Sequence, residues 1–356
     1  MLQDLSFFSE KRIFLTGHTG FKGSWLCRVL TNAGAALTGY ALDPPAAPNL
    51  FSVCGVENRM TSIIGDVRDL DCLMKAFVDA KPEIVIHMAA QPLVRESYIS
   101  PVHTYETNVM GTVNILECIR KCGSVRSFLN VTTDKVYHNN EWEWGYRETD
   151  PLDGFDPYSN SKSCSELVTH CYKNSFFSDG ACAISTARAG NVIGGGDFSK
   201  DRIIPDCAAA AEKSAAIIIR NPVSIRPYQH VLESLSAYLA IVQKQSENGK
   251  YAGYYNVGPD DSDCITTGQL ADLFCEAYGN GLRWESHADR EFHEANFLSL
   301  DCSRIKSALG WAPRWDIKMA VEKAVQWYKA YHLKEDIVRV MDEQIGEYFN
   351  GGHSVD

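Results

Sequence analysis

The 356-residue chain has no uninterrupted apolar stretch long enough to span a bilayer. Its first ten residues, Met-Leu-Gln-Asp-Leu-Ser-Phe-Phe-Ser-Glu, lack the basic start and apolar run of a secretory signal. These two absences predict a cytoplasmic protein without a membrane partner. Positive charge is also short, with 34 Lys and Arg against 45 Asp and Glu and a formal net charge of −11. Nucleic-acid binding needs clustered cations to neutralise phosphates, so the acidic balance predicts no nucleic-acid partner. A small phosphorylated ligand needs only a few local arginines and stays allowed. The 12 cysteines include no C-x-x-C pair. Cys118 and Cys122 lie four apart without a second pair or nearby His, which predicts reduced thiols and no metal site. Internal repeats, low-complexity tracts and long linkers are missing as well.

What is present is ordinary globular composition, 45% hydrophobic and 22% charged, over a length that suits about two domains. Short apolar runs alternate with longer helical stretches. Strands are expected over 12–16, 36–42, 83–89, 127–132, 182–188 and 254–257. Helices are expected over 23–33, 70–80, 104–122, 159–176 and 231–245. The strands are apolar on both faces, which predicts an α/β fold: a Rossmann-type doubly wound parallel sheet covered by helices. The pattern changes after Asn191. Residues 1–190 with about 229–258 are expected to form the dinucleotide-binding domain. About 191–228 with 259–356 are expected to form a smaller mixed α/β substrate domain.

Residues 16–25 read Thr-Gly-His-Thr-Gly-Phe-Lys-Gly-Ser-Trp, a G-x-x-G-x-x-G loop set between a strand and a helix. In such a loop Gly17 permits the tight turn, Gly20 lets backbone approach a pyrophosphate, and Gly23 allows close helix–strand packing. The helix beginning near Phe21 then supplies amides and a positive dipole end to phosphate. A glycine-rich turn without a ligand is the alternative for the loop alone. Asp43 follows Gly23 by 20 residues, at the end of the second strand. An acid there accepts from a ribose hydroxyl and repels a 2′-phosphate, favouring NAD over NADP. In Gly65-Asp66-Val67, the acid is placed to meet the adenine. His18 and Lys22 read either as solvent-facing loop residues or as contacts to cofactor phosphate. Lys22 leaves NADP as the lesser cofactor reading.

Tyr158 and Lys162 form a Y-x-x-x-K pair, four residues apart on one helix face. A neighbouring ammonium is expected to lower the phenol pKa towards working pH, so that Tyr158 takes a proton from a sugar hydroxyl. An isolated pair of this kind reads as a surface pair; downstream of a dinucleotide loop it reads as catalytic. Thr133, Asp134 and Lys135 stand at the carboxyl end of another strand, where open α/β sheets bind ligands. Their alternative is a capped strand end with a solvated Asp–Lys pair.

With these motifs the sequence resembles the extended short-chain dehydrogenase/reductase group, the NAD-dependent epimerase/dehydratase family acting on nucleotide sugars. The resemblance spans nearly the whole chain. It is carried by T-G-H-T-G-F-K-G-S-W-L from Thr16, H-M-A-A-Q-P-L-V-R from His87, N-V-M-G-T from Asn108, T-T-D-K-V-Y from Thr132, Y-S-N-S-K from Tyr158 and R-P-Y-Q-H-V-L-E from Arg226. It implies that Ala89, Ala90, Gln91 and Asn108 join the glycine loop, Val67, Tyr158 and Lys162 in holding NAD. The similarity is strongest to the branch that dehydrates CDP-glucose, which makes that or a related nucleotide sugar the expected substrate. Relatives acting on dTDP-glucose place Asp-Glu after the threonine. Here Lys135 occupies the second position, so Asp134 is the expected acid and the base is open between Lys135 and another group.

The implied reaction is C4 oxidation, loss of water across C5 and C6, and hydride return to C6. Asn191 and Arg226 resemble the family's phosphate-side residues, and guanidinium geometry suits a diphosphate. Gln91 and Arg95 are expected to line the sugar pocket. Arg202, Asn256 and Arg304 are further substrate candidates, with a surface salt bridge the alternative for Arg202 and Arg304. The resemblance also implies a homodimer or homotetramer built on the Asn108 and Tyr158 helices, and a product destined for surface polysaccharide such as lipopolysaccharide O-antigen. Rival readings are another nucleotide-sugar dehydratase, a C4 epimerase, or a non-catalytic dinucleotide-binding regulator.

Overall fold

A computed structural model describes residues 4–44, 47–199, 201–287 and 298–351. Its strands are β1 (Arg12–Thr16), β2 (Ala36–Ala41), β3 (Thr61–Ile64), β4 (Ile84–His87), β5 (Ser127–Thr133), β6 (Ala183–Ala189), β7 (Val192–Ile193), β8 (Ile217–Ile219), β9 (Ile225–Pro227), β10 (Gln229–His230), β11 (Tyr254–Val257), β12 (Cys264–Thr266) and β13 (Trp284–Ser286). The α-helices are α1 (Phe21–Asn32), α2 (Leu50–Val53), α3 (Leu70–Ala80), α4 (Val94–Ile99), α5 (Pro101–Tyr105), α6 (Gly111–Cys122), α7 (Pro157–Phe176), α8 (Ile203–Glu212), α9 (Val231–Glu247), α10 (Thr267–Tyr278), α11 (Ser303–Leu309), α12 (Ile317–His332) and α13 (Ile337–Asn350).

Seven strands form one parallel sheet in the order β11-β6-β5-β4-β1-β2-β3. The chain reverses its direction of travel across the sheet between β1 and β4, the crevice where doubly wound folds bind their ligands. Period-2 alternation divides the core. Ile13 and Leu15 of β1, Ile84 and Ile86 of β4, and Leu129 and Val131 of β5 face one side. Phe14, Val85 and Phe128 face the other, with Phe77 of α3 and Ile115 and Leu116 of α6. Burial of each such side chain stabilises by roughly 1.5–3 kcal/mol. As expected from the sequence, 254–257 rejoins the first sheet, as β11 beside β6.

Three elements depart from the sequence reading, the first being β3, an edge strand absent from the expected set. Between Pro101 and Cys122 the helical path contains a π-helical turn at Glu106–Met110. The turn carries the buried Asn108 inward, and π-turns of this kind concentrate at functional sites. The last helix, α13, returns to the first: Arg28 of α1 is ion-paired with Asp342 of α13, which also accepts from Asn32. The residues between carry three two-stranded sheets, β10-β7, β12-β9 and β13-β8. Among the described residues no helix is long and apolar enough to cross a membrane.

Candidate active site

The glycine loop is shaped by steric necessity at two positions. Gly17 has φ +80°, and a Cβ there would stand 2.8 Å from the Ala89 amide nitrogen. A Cβ on Gly23 would stand 2.1 Å from the Gly17 carbonyl oxygen, so the first turn of α1 packs directly on the loop. Gly20 differs. Its Cβ would meet only the Gly17 oxygen, at 3.5 Å, leaving its outer side open where the α1 amides point. Loop and strand end are laced together by Thr16, whose hydroxyl accepts from the amides of Met88 and Ala89, both at 3.1 Å. Its other partner is His87 Nδ1 at 2.7 Å. Thr19 donates to the Leu42 carbonyl at 2.8 Å, which sets the exposed Asp43 beside the loop.

His18 is not a solvent-facing residue. It is buried against Phe51 with Nε2 2.8 Å from the Ser62 hydroxyl, and burial lowers its pKa to about 4. Lys22 is not solvent-facing either. Its Nζ lies 3.5 Å from the Tyr238 hydroxyl of α9 and over that ring. Burial, Lys162 and Arg202 together bring its pKa down to about 7, while Asp134 opposes them.

Asp66, at the carboxyl end of β3, spends its carboxylate on Arg68, with Oδ2 accepting from Nη2 at 2.6 Å and Nε at 2.9 Å. Val67 is buried and would be struck by any Cβ on Gly111, at 2.8 Å. Asn108 latches the β4 edge: it accepts from the Gln91 amide at 2.9 Å and donates to the Gln91 carbonyl at 3.1 Å and the Ser161 hydroxyl at 2.9 Å. The Gln91 side chain, expected in the pocket wall, is turned inward. It donates to Thr104 and the Leu93 carbonyl and accepts from the Leu93 amide. Ala89 and Ala90 are half-buried beside it.

Helix α7 begins where Asp156 accepts from the Ser159 amide at 2.9 Å and Pro157 occupies the first turn. Its inward face is polar: Ser159, Ser161, Lys162, Ser163, Ser165, Glu166 and Thr169 are all buried. That face delivers Tyr158 and Lys162 to the end of β5. Lys162 donates to the Val131 carbonyl at 3.2 Å, and burial lowers its pKa to about 8 against the opposing pull of Glu166. The phenol departs from the sequence expectation. Burial raises the Tyr158 pKa to about 12; Thr133 and Arg202 lower it, while Asp134 and Asp156 raise it. Lys162 spends its ammonium on Val131, so the cation expected to depress the phenol does not outweigh desolvation. Asp134 is buried, accepts from the Thr133 hydroxyl at 2.9 Å through Oδ1, and leaves Oδ2 with no hydrogen-bond partner. Lys135 follows it, half-buried.

On the phosphate side, Asn191 follows β6 and its carbonyl accepts from Gln229 at 3.0 Å. Arg226 is buried on β9, next to Pro227, which packs with Asp134 Oδ2 around Gly190. Arg202 acts electrostatically on both Tyr158 and Lys22, so it belongs to this edge, as does Arg95 on α4. Two candidates do not converge here. Asn256 is wholly buried, with its side chain accepting from Tyr137 at 2.6 Å and donating to the carbonyls of Tyr146 and Asp301. Arg304 lies over the Tyr255 ring beside Gly253, at the amino edge of β11 and opposite to Tyr158. Neither side chain is turned to the edge that carries Tyr158: Asn256 is taken up by internal hydrogen bonds, and the exposed Arg304 stacks on Tyr255.

Sequence reading passed over three residues. Glu166 lies one turn beyond Lys162 and pairs with Arg188 of β6, while Tyr238 of α9 faces Lys22. The i+4 step from Lys162 was the available signal for Glu166. Neither Arg188 nor Tyr238 carries a local signal, because each reaches the site across the fold.

The chain matches known proteins along nearly its whole length. Residues 14–324 match the family model described as GDP-mannose 4,6 dehydratase. The chain is 46% identical over 353 residues to CDP-glucose 4,6-dehydratase of Salmonella typhimurium, covering 98% of each. It is 27% identical over 346 residues to dTDP-glucose 4,6-dehydratase of Shigella flexneri, covering 90% of this chain and 93% of that one. In structure it resembles a dTDP-glucose 4,6-dehydratase of Streptomyces venezuelae solved with NAD and TYD bound, at TM-score 0.78 and 22% identity, covering 92% of this chain and 99% of that one. Because the agreement runs from the glycine loop through α12, the chain belongs to the GDP-mannose 4,6 dehydratase family.

Proposed function

We propose that the chain is a CDP-glucose 4,6-dehydratase, converting CDP-D-glucose to CDP-4-dehydro-6-deoxy-D-glucose and water. The observation that carries this reading is Asp134: a buried carboxylate with one unpartnered oxygen, at the same strand end as Tyr158 and Lys162. An enzyme that only moved hydride would need the phenol and not this acid. The near full-length identity to the Salmonella enzyme supports cytidine over other bases.

The open side of Gly20, the α1 amides and the exposed Asp43 fit a dinucleotide without a 2′-phosphate, and NAD is proposed over NADP. His18, Phe21, Lys22, Gly23, Asp66, Ala89, Ala90 and Asn108 would frame it. When bound, NAD supplies the hydride acceptor at C4 and the donor at C6. Tyr158 would take the proton of the 4-hydroxyl as a phenolate, a form that the Lys162 ammonium and the positive charge NAD brings when bound would favour against the burial that raises its pKa. The resulting 4-ketone acidifies the C5 proton. Lys135 removes that proton, and Asp134 gives one to the departing 6-hydroxyl, so that water leaves. Asn191, Arg202 and Arg226 hold the diphosphate. Residues 1–190 with about 229–258 serve the cofactor, and the rest serve the sugar.

We read the enzyme as cytoplasmic and as a homodimer or homotetramer making a deoxysugar for surface polysaccharide. The helices α4 to α7 leave Ile99, Val102, Met110 and Leu167 exposed, which supports assembly across that face. The reaction is tested by NMR of the product formed from CDP-glucose and NAD. A 4-keto-6-deoxy sugar is expected; clean C4 epimerisation or no turnover overturns the proposal, and a panel of nucleotide sugars tests the base.

A further inference from the structure

Asp201 has no part in the chemistry above, yet its carboxylate lies between two arginines. Oδ1 is 2.6 Å from Arg220 Nη1 and 3.9 Å from Arg95 Nη1. Arg95 belongs to α4, at the carboxyl edge of the seven-stranded sheet. Arg220 follows β8, one of the short strands outside that sheet. One carboxylate therefore spans two separate parts of the fold. The next residue, Arg202, is 3.9 Å from Asp197 and acts electrostatically on Tyr158 and Lys22. Each of the three arginines thus has a carboxylate of the chain itself close by.

The acids are crowded to achieve this. Burial raises the Asp206 pKa to about 6; Arg220 opposes the rise, and Asp201 and Asp197 add to it. Asp201 itself sits at φ 59°, the left-handed region that side chains other than glycine rarely adopt. A surface ion pair such as that of Asp201 with Arg220 contributes little stability, so giving it up costs little. A diphosphate offers several oxygens to a guanidinium where one carboxylate offers two, and it binds arginine in the same planar geometry. Asp201 is half-exposed and so is open to exchange with such an anion.

We propose that Asp201 competes with the substrate diphosphate for Arg220: a nucleoside diphosphate displaces the Asp201 carboxylate and takes Arg220 as a binding residue. This rests on the nucleotide-sugar reading only for the diphosphate; it needs neither cytidine nor dehydration. Arg220 becomes a substrate contact that no motif marks, and Asp201 an internal competitor that weakens binding.

The test is isothermal titration of the full-length protein with CDP and with inorganic pyrophosphate, neither of which turns over. Asp201→Asn is expected to bind both several-fold tighter than the parent. Arg220→Gln is expected to bind both about tenfold weaker, the effect of losing one charge-assisted contact. In the double variant the gain from Asp201→Asn disappears. A merely structural Asp201 would shift the melting temperature and leave affinity unmoved. Equal binding by parent and Asp201→Asn, weaker binding by that variant, or a gain that survives in Arg220→Gln overturns the proposal. Turnover of CDP-glucose measured in parallel separates the two readings: binding as expected without dehydration sinks the reaction and leaves the displacement standing.

Discussion

Arg188 donates twice to Glu166 inside the protein, Nε to Oε1 and Nη2 to Oε2, each at 3.0 Å. Thr132 and Thr186 also donate to Glu166, at 2.5 and 2.7 Å, so the carboxylate is fully occupied. Arg188 further donates to the Tyr137 hydroxyl at 2.7 Å, tying β6 to the loop after β5. This pair underlies the catalytic strand end, and Glu166 is also the charge that holds the Lys162 ammonium up against burial.

Glu166→Gln leaves Arg188 charged in a buried site with half its partners. Breaking such a pair costs about 3–5 kcal/mol. Chemical denaturation is expected to show a loss of that order. The alkaline limb of the pH–rate profile should also move to lower pH, because Lys162 loses its supporting charge. A limb that stays in place would detach Glu166 from the lysine.

Activity and stability should diverge on the alkaline side. Lys162 has its pKa lowered from 10.5 to about 8, so the ammonium is lost in the folded enzyme as pH rises through about 8, and turnover falls with it. The unfolded chain still holds that proton up to its ordinary value. Folding therefore releases a proton between about 8 and 10.5, and the contribution of Lys162 to stability rises across that window. It is fully present above the unfolded pKa and is lost as pH falls through the folded one. Denaturation midpoints of the parent and Lys162→Met across this range check the sign: the parent should gain on the variant as pH rises.

Tyr158→Phe removes the proton acceptor and no packing volume of consequence. A loss of about 10²–10⁴ in kcat is expected, with CDP affinity nearly unchanged. Weakened CDP binding of the same size as the rate loss would assign the phenol to substrate holding.

The Asp134 and Lys135 positions separate the two half-reactions. With Asp134→Asn the buried site keeps its shape but has no acid for the departing hydroxyl. With Lys135→Ala the proposed C5 base is gone. In both, C4 oxidation should continue and reduced cofactor should accumulate, read by its absorbance, while water loss stalls. Lys135→Ala should also stop exchange of the C5 hydrogen with deuterated solvent. Undiminished exchange would place the base elsewhere.

Much of this was legible from pattern alone, for physical reasons that differ by residue. The loop from Gly17 to Gly23 is read from sequence because its constraints are local: a positive φ and a helix turn laid on a strand end. Six of the seven sheet strands were found because a doubly covered sheet makes its strands nearly all buried, as in β5 and β6; β3 was missed because this edge strand is only half-buried or exposed. Asn256 and Arg304 stand apart from Tyr158 because spacing does not tell which edge of a sheet a residue reaches. Asn256 turned its amide to Tyr137, and Arg304 came to lie over Tyr255. The π-turn at Asn108 and the return of α13 to Arg28 were hidden because each answers to a partner far along the chain. The phenol pKa went the other way because burial, which sequence spacing does not show, exceeded the charge beside it.

The glycines at 20 and 23 should fail in different ways when changed to alanine. A methyl at Gly23 would lie 2.1 Å from the Gly17 carbonyl oxygen and 2.8 Å from the His18 Cα, both backbone atoms that cannot swing aside. Overpacking of this kind costs about 1–3 kcal/mol, and it also shifts the loop, so Gly23→Ala should lose both stability and cofactor. A methyl at Gly20 meets only the Gly17 oxygen at 3.5 Å, ordinary contact, at a φ of −79° that alanine adopts freely. The folded chain tolerates it, but it fills the open side where a pyrophosphate would approach the backbone. Gly20→Ala is therefore expected to melt within about 1 °C of the parent, less than the roughly 1.3 °C that 1 kcal/mol produces in a protein of this size, and to bind NAD at least tenfold more weakly. Thermal melting and cofactor titration of the two variants side by side decide it. If Gly20→Ala bound NAD as well as the parent, the loop would be a structural turn and the dinucleotide would have to lie elsewhere.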